Sequence, residues 1–231
     1  MAAHLVQLEA TPDLVERVYR TLGDAISDGS LAPGQRITQE DIAHQLAVSR
    51  QPVLQALRLL KRDGFVHDAP GRGLQVAPLD AARTRNVYQV RGALDALAAR
   101  LAAQRRYRID PALLQQGRRA VRGPDVAAMI EADLAFHVAL YRAAGNPLIE
   151  ESAQLHWRHL KRVMGAVLQQ QQQREQVWDE HEAIARAIGA GRGDEAARLI
   201  EEHSRHASDK LGQGLDDVLH APDTPAPRRQ P

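Results

Sequence analysis

The chain has 231 residues, a formal net charge of +1 and no cysteine. This length allows one or two domains with their own cores, and the missing cysteines exclude disulfides, thiolate metal sites and a cysteine nucleophile. The first residues lack a basic stretch followed by an apolar core, and no apolar run approaches membrane-spanning length. We therefore expect a cytoplasmic protein with neither a signal peptide nor a transmembrane helix.

The N-terminal third predicts three helices. Residues 1–11 are expected to be a flexible N-terminus, and 13–28 carry apolar residues at helical spacing until Gly29 breaks the pattern. Thr38 with Asp41 three residues later resembles a capping box and predicts a short helix over 39–46. After a turn, a third helix is predicted over 50–63, with Gly64 as its C-terminal stop.

The start of this third helix has the residues of a DNA-recognition helix. Ser49 is expected to cap it through its hydroxyl, and Pro52 falls in the first turn, where no backbone N–H is needed. Arg50 and Gln51 project from the N-terminal end, which enters the major groove in a helix-turn-helix. Arginine can pair there with guanine and glutamine with adenine.

A β-hairpin is predicted to follow the third helix. Segments 65–67 and 74–76 form its strands, and glycines in the connection let the backbone approach a phosphate or the minor groove. Formal charge changes from −4 over residues 1–49 to +3 over 50–72, which suits a phosphate-facing surface better than an ordinary solvated helix face. The predicted DNA-binding residues are Ser49, Arg50, Gln51, Pro52, Arg58, Gly71, Arg72 and Gly73.

The order of these signals resembles the winged helix of GntR-family transcription regulators over residues 12–77. The resemblance is carried by Gly29-x-Leu31-x-Pro33-Gly34, Ile42-Ala43, Val48-Ser49-Arg50-x-Pro52-Val53, Ala56-Leu57, Gly64 and Arg72-Gly73-x-x-Val76. The chain departs from the family at Gln39, where Glu is usual, and at Leu54-Gln55, where Arg-Glu is usual. Because Leu54 cannot pair with guanine, base readout is expected to differ from the family's or to depend more on Arg50, Gln51 and the predicted β-hairpin, which is the wing of the winged helix.

The rest of the chain predicts an all-α domain. We expect a linker at 78–80, a helical effector-binding and dimerisation domain over 81–213, and a disordered tail over 214–231. Helices are predicted over 81–105, 111–120, 125–143, 148–168, 174–189 and 194–212, and the glutamine run 169–173 predicts a loop or an exposed helical stretch. The first helix carries an apolar stripe, expected to face the core, formed by Val87, Val90, Leu94, Leu97 and Leu101.

Four polar residues interrupt apolar helix faces in this domain. Asp133 and His137 share one helix face, and His181 and His203 lie in the apolar stripes of two other helices. Buried polar groups without partners are costly, and one divalent cation would satisfy all four. Three imidazoles and a carboxylate suit Zn²⁺ or Ni²⁺, with a metal-free hydrogen-bonded cluster as the alternative and His206 as a rival ligand.

The second domain is similar to the FCD effector domain of the FadR-like GntR branch over residues 83–212. The similarity is carried by Asp133-x-x-x-His137, Gly145-Asn146-Pro147, His181-x-x-Ile184-x-x-Ala187-Ile188, Ala196 and His203. In metal-binding members of that branch the matching aspartate and three histidines hold a divalent cation. Arg91-x-x-x-Asp95 resembles the usual Arg-x-x-x-Glu, and Arg91 is predicted to bind a small carboxylate effector beside the metal, unless it is a surface arginine.

Together these features predict a mainly α protein with a winged helix-turn-helix before a helical bundle. Its expected function is that of a ligand-responsive transcription repressor that binds palindromic double-stranded DNA as a homodimer formed by the helical domains. A regulator that senses the metal itself is the first alternative. A metal-dependent enzyme has little support, because Ala185 stands where a zincin motif starting at His181 would need its second histidine.

Overall fold

A computed structural model of the chain describes residues 14–71, 73–168 and 175–220. It divides into two compact units, one that ends at Pro78 and one that begins at Leu79, within the predicted linker. Nine helices and a small antiparallel sheet make up the described residues, so the mainly α prediction is confirmed. The predictions for residues 1–11, Arg72, the glutamine run 169–173 and the tail beyond His220 lie outside the described residues.

The first unit is a winged helix. Its elements are α1 Leu14–Ser27, β1 Arg36–Ile37, α2 Gln39–Gln45, α3 Arg50–Arg62, β2 Val66–Asp68 and β3 Leu74–Val76. The strands lie in the order β1-β3-β2, with Arg36 opposite Gln75 and His67 on the other side of Gln75. The two-residue strand β1 was not predicted, because so short a segment carries no alternation of its own.

The predicted caps of the first unit differ in outcome. The Thr38 hydroxyl accepts from the backbone N–H of Asp41 (3.1 Å) and donates to its carboxylate (2.6 Å), so it caps α2 as expected. Ser49 occupies the N-cap position of α3, but its hydroxyl makes no capping hydrogen bond among the described residues, so that prediction was wrong. The side-chain amide of Gln39 instead donates to the Arg50 carbonyl (2.7 Å) and joins α2 to the start of α3.

The second unit is a six-helix bundle. Its helices are α4 Ala81–Gln104, α5 Pro111–Arg122, α6 Val126–Ala144, α7 Pro147–Val167, α8 Glu175–Gly189 and α9 Gly193–His220. Side chains of Asp80, Asp110, Asp125 and Asn146 accept backbone N–H groups at the starts of α4 to α7. None of the described helices has both the length and the apolar character that a membrane span requires.

The predicted core stripe of α4 was partly wrong. Val90 and Leu97 are 52% and 43% exposed, although Val87 is buried. The buried face instead carries small residues, including Ala99 and Ala103, together with the polar pair Arg91 and Asp95. Alanine side chains let α9 pack closely along α4, whereas the stripe was assigned from the larger apolar residues alone.

The predicted start of the tail was also wrong, because α9 continues to His220. Leu211 and Leu215 lie one turn apart and are 5% and 0% exposed. Burial of this pair against the bundle stabilises residues 214–220 as a helix.

Candidate functional site

Three helices of the second unit bring the four predicted metal ligands together. Asp133 and His137 lie on α6, His181 on α8 and His203 on α9, and one ligand atom from each lies within 4.8 Å of all the others. The three histidines are at most 3% exposed and Asp133 is 9% exposed. The cluster therefore forms a buried group of nitrogen and oxygen donors that could hold a metal ion.

Distances inside the cluster fit a divalent ion. Nε2 of His181 lies 3.3 Å from Nε2 of His203 and 3.5 Å from Oδ1 of Asp133. Ligand atoms about 2.0–2.1 Å from a tetrahedral zinc ion lie about 3.3 Å from one another. The donor types and these spacings both suit a metal of the zinc or nickel kind.

The environment keeps His137 and His181 in the form that binds metals. Burial lowers the pKa of His137, and the nearby charge of Arg91 lowers it further. Burial, followed by the charges of His203 and His137, holds the pKa of His181 well below its usual value. Both rings are consequently neutral at neutral pH, and a neutral imidazole is the form with a lone pair for a metal.

Arg91 is buried beside this cluster. Only 1% of Arg91 is exposed, so the alternative of a surface arginine is wrong. Its Nε donates to Oδ2 of Asp95 (3.0 Å) and its Nη2 donates to Nε2 of His137 (2.9 Å). Its Nη1 is buried without a hydrogen-bond partner among the described residues. This nitrogen remains available to a further acceptor.

Asp95 is the counterion of Arg91 despite being one methylene shorter than the family's usual glutamate. It also accepts from the Tyr141 hydroxyl (2.5 Å) and lies 3.4 Å from the Ser204 hydroxyl. Burial would raise the pKa of Asp95, but the charge of Arg91 and the contributions of His137 and Tyr141 together outweigh it, and the pKa is lowered. Burial would likewise lower the pKa of Arg91, but Asp95 together with Tyr141, Tyr88 and Asp133 raises it. The pair is therefore ionised inside the bundle.

A cavity of about 90 Å³ adjoins the cluster. Arg91, Asp133, His203 and Lys210 contribute its polar lining. The apolar lining includes Val121, Met129, Met164, Leu168, Val177, Trp178 and Leu211. Such a space suits a small molecule with an anionic end near Arg91 and an apolar body.

The sequence analysis missed Glu180, which lies next to the cluster, and left undecided whether His206 is a ligand. Glu180 accepts from Nδ1 of both His203 (2.8 Å) and His206 (2.9 Å). His206 is thus bonded to a carboxylate and does not belong to the four-residue cluster. The sequence shows Glu180 directly before the predicted ligand His181. Which residues the Glu180 side chain contacts depends on how α8 packs on α9.

The predicted DNA-binding residues occupy two places in the first unit. Ser49, Arg50, Gln51 and Arg58 are exposed at the start and along the outer face of α3, whereas Pro52 is buried. The Arg50 guanidinium pairs with Glu40 (2.6 Å), and both side chains are mostly exposed. Pro52 thus contributes to the packing of the first helical turn.

Two glycines of the wing have backbone conformations that favour glycine. Gly71 and Gly73 have φ angles of 91° and 98°, which side chains of L-residues rarely allow. They form the connection between β2 and β3, and the Gly73 carbonyl accepts from the N–H of Ala69 (3.1 Å). The backbone therefore carries no side chains at those two positions.

Two protein families match consecutive parts of the chain. Residues 14–76 match the bacterial regulatory proteins of the gntR family, and residues 86–206 match the FCD domain, which by itself covers more than half of the chain. The chain belongs to the GntR family, in its FCD-containing branch. It is a transcription regulator rather than an enzyme, as its relatives are.

Several relatives share this organisation along nearly their whole length. The HTH-type transcriptional repressor RspR of Escherichia coli K12 is 27% identical over 212 residues, which cover 90% of this chain and 92% of RspR. The HTH-type transcriptional regulator LutR of Bacillus subtilis is 27% identical over 216 residues, 80% of this chain and 95% of LutR. These relatives support a regulatory function for the entire two-unit chain.

Solved structures agree on the fold. McbR/YncC of E. coli superposes with a TM-score of 0.73 at 20% identity, over 89% of this chain and all of McbR. A GntR regulator from Rhodococcus sp. RHA1 gives a TM-score of 0.69 at 24% identity, over 92% of this chain and all of that one. At these identities the likeness concerns the fold alone.

Proposed function

We propose that this GntR-family protein is a ligand-responsive repressor whose helical unit binds a small carboxylate at a Zn²⁺ or Ni²⁺ centre. The observation that carries the proposal is the buried unpaired Nη1 of Arg91, a residue that lines the same cavity as Asp133 and His203. A buried donor without a partner is costly, and a carboxylate oxygen would satisfy it with a charge-assisted hydrogen bond.

The balance of charge also favours an anionic effector. Among the buried groups around the cavity and cluster, Arg91 is cationic and Asp95 and Asp133 are carboxylates, which leaves a formal charge of −1. A divalent cation changes this to one excess positive charge. In a buried site such an excess favours binding of a monovalent anion.

Each group would have a distinct part in effector binding. Asp133, His137, His181 and His203 would hold the metal, and an ion with more than four coordination positions would offer an electrophilic one to a carboxylate oxygen. Arg91 would donate N–H groups to the effector while Asp95 holds the guanidinium in place. The apolar lining would select acids with a small hydrocarbon body.

The DNA half of the proposal uses the exposed face of α3. Arg50, Gln51 and Arg58 would reach base edges and phosphates, and the glycine turn of the wing would approach the backbone. Arg50 must release Glu40 to do so, which costs little because exposed ion pairs contribute little free energy. A homodimer would bind two half-sites of a palindrome, and the effector would act through a difference in its affinity for the DNA-bound and free arrangements.

A metal-sensing regulator is the second candidate, and one contact favours it. Arg91 donates to Nε2 of His137, so a metal that takes this nitrogen must displace the arginine. Metal uptake would then rearrange the buried Arg91–Asp95 pair without any acid. The cation itself could therefore be the signal.

Operator binding distinguishes the two candidates. DNA sites selected in vitro would be titrated with metal-free protein, with Zn²⁺ or Ni²⁺ alone, and with metal plus acetate, lactate, citrate or benzoate. The carboxylate proposal expects an acid to change DNA affinity only when metal is present. A change of affinity with metal alone and none with any acid would favour sensing of the cation.

Calorimetry of the metal-loaded protein tests the role of Arg91. Arg91→Lys and Arg91→Met should weaken binding of the active acid by about 10-fold or more, since a hydrogen bond to a charged group is worth about 1.5–3 kcal/mol. Arg100→Met, at a half-exposed arginine on the same helix, should bind the acid like the wild type. Unchanged affinity in both Arg91 variants would refute the effector site.

A further inference from the structure

Glu180 lies behind the metal cluster and joins two histidines of the neighbouring helix. It directly precedes His181 on α8, and its two carboxylate oxygens accept from different rings of α9. Oε2 is 2.8 Å from Nδ1 of His203, and Oε1 is 2.9 Å from Nδ1 of His206. With both oxygens engaged, the carboxylate has little freedom to rotate.

This contact determines which nitrogen of His203 faces the cluster. A carboxylate only accepts hydrogen bonds, so in the form of the ring that can bind a metal the proton sits on Nδ1. The lone pair is then on Nε2, and Nε2 is the atom that lies 3.3 Å from Nε2 of His181.

The Nδ1 atoms of the other two histidines make no comparable hydrogen bond to a carboxylate. Nδ1 of His137 lies 3.5 Å from Oδ2 of Asp95, beyond a normal hydrogen bond. Nδ1 of His181 is buried with no hydrogen-bond partner among the described residues, and its ring stacks on Phe136 with centroids 4.0 Å apart. His203 is thus the ligand of the cluster that a carboxylate orients by a short hydrogen bond.

We propose that Glu180 is a positioning residue of the metal centre, which orients His203 and selects its Nε2 as the ligand atom. His206 acts one step further out, because it holds the second oxygen of Glu180. Neither residue is a ligand. The inference rests on the proposed metal site and adds a residue on which its affinity depends, since carboxylates behind metal-binding histidines orient the ring and raise its basicity.

The test is metal affinity of the full-length protein, measured by competition with a chromophoric Zn²⁺ chelator. Glu180→Ala should weaken Zn²⁺ binding by about 10–100-fold, the usual effect of removing such a partner. Glu180→Gln should weaken it less, because the amide oxygen can still accept from one histidine. Glu182→Gln is the matched control on the same helix, since Glu182 pairs with Arg118 (2.8 Å) and should leave Zn²⁺ affinity within about 2-fold of wild type.

A second readout separates positioning from a general structural contribution. Nitrogen-15 NMR of the metal-free protein should show His203 protonated at Nδ1 in the wild type and in Glu182→Gln. The same spectrum should show a mixture of ring tautomers in Glu180→Ala. Thermal unfolding of the metal-free variants checks that each is folded. If Glu180→Ala does not fold, the comparison is made with Glu180→Gln instead.

The possible failures can be distinguished. Zn²⁺ binding that is lost in His203→Ala but unchanged in both Glu180 variants would overturn the role of Glu180 and leave the metal site intact. Wild-type protein that binds no Zn²⁺, Ni²⁺ or Co²⁺ would overturn the metal site and this inference together.

Discussion

Replacing Asp95 by Asn removes the counterion of a buried arginine while preserving the shape of the side chain. Asp95 is 0% exposed and Arg91 is 1% exposed, so water cannot replace the lost charge. Asp95 accepts from Arg91 at 3.0 Å and from Tyr141 at 2.5 Å. The variant takes the hydrogen-bonded counterion away from a guanidinium that already has one unpaired nitrogen.

The expected cost follows from this isolation. Removal of one member of a buried ion pair destabilises a protein by about 3–5 kcal/mol. In a domain of about 150 residues, each kcal/mol lowers the melting temperature by about 2–4 °C. Asp95→Asn should therefore melt about 6–20 °C below the wild type. This cost is a large share of the about 5–15 kcal/mol that stabilises a typical domain.

Urea unfolding of metal-free protein, followed by circular dichroism, measures the effect. Asp194→Asn is the control, because Asp194 pairs with Arg100 at 3.2 Å but is 98% exposed and should contribute almost nothing. The double variant Arg91→Met with Asp95→Leu should be more stable than Asp95→Asn, since it leaves no unpaired buried charge. A loss of less than about 1 kcal/mol in Asp95→Asn would refute the reasoning.

Two further predictions concern packing of the helical unit. Gly117→Ala places a Cβ 1.9 Å from the buried Trp178 ring and should lower the free energy of unfolding in urea by about 1–3 kcal/mol. In the control Gly165→Ala the added Cβ meets nothing within 4 Å, so this variant should stabilise its helix by about 0.5–1 kcal/mol. Equal effects of the two substitutions would contradict the packing of α5 on α8. Leu215→Ala should cost about 2–5 kcal/mol because Leu215 is 0% exposed, and Leu219→Ala, at a half-exposed position, should change little. A tolerated Leu215→Ala would contradict the extension of α9 beyond residue 213.

Local signals in the sequence located most helices to within a few residues. Thr38 caps α2 as its spacing with Asp41 predicts, and the left-handed Gly145 ends α6 before Pro147. Helix ends depend on residues within about one turn, so the sequence contains the necessary information. Ser49 shows the limit, because the position of a cap could be predicted but not whether its hydroxyl would bond.

The candidate metal ligands were predictable for a related reason. Asp133, His137, His181 and His203 each interrupt an apolar stripe, and polar residues in such places need a common partner inside the core. That argument identified residue types and helix faces from spacing within single helices. It could not supply the distances that test the fit of an ion.

By itself the sequence determined the two-unit organisation, most of the helix limits, the family motifs and the set of candidate ligands, because these depend on neighbours along the chain. Only the tertiary structure decided which face of α4 is buried, that Arg91 reaches His137, and that Glu180 reaches His203. The contacting residues are 46 and 23 positions apart, so their meeting depends on how whole helices pack. A face of alanines on α4 allowed α9 to approach closely, and that packing rather than hydrophobic spacing buried the polar groups of the site.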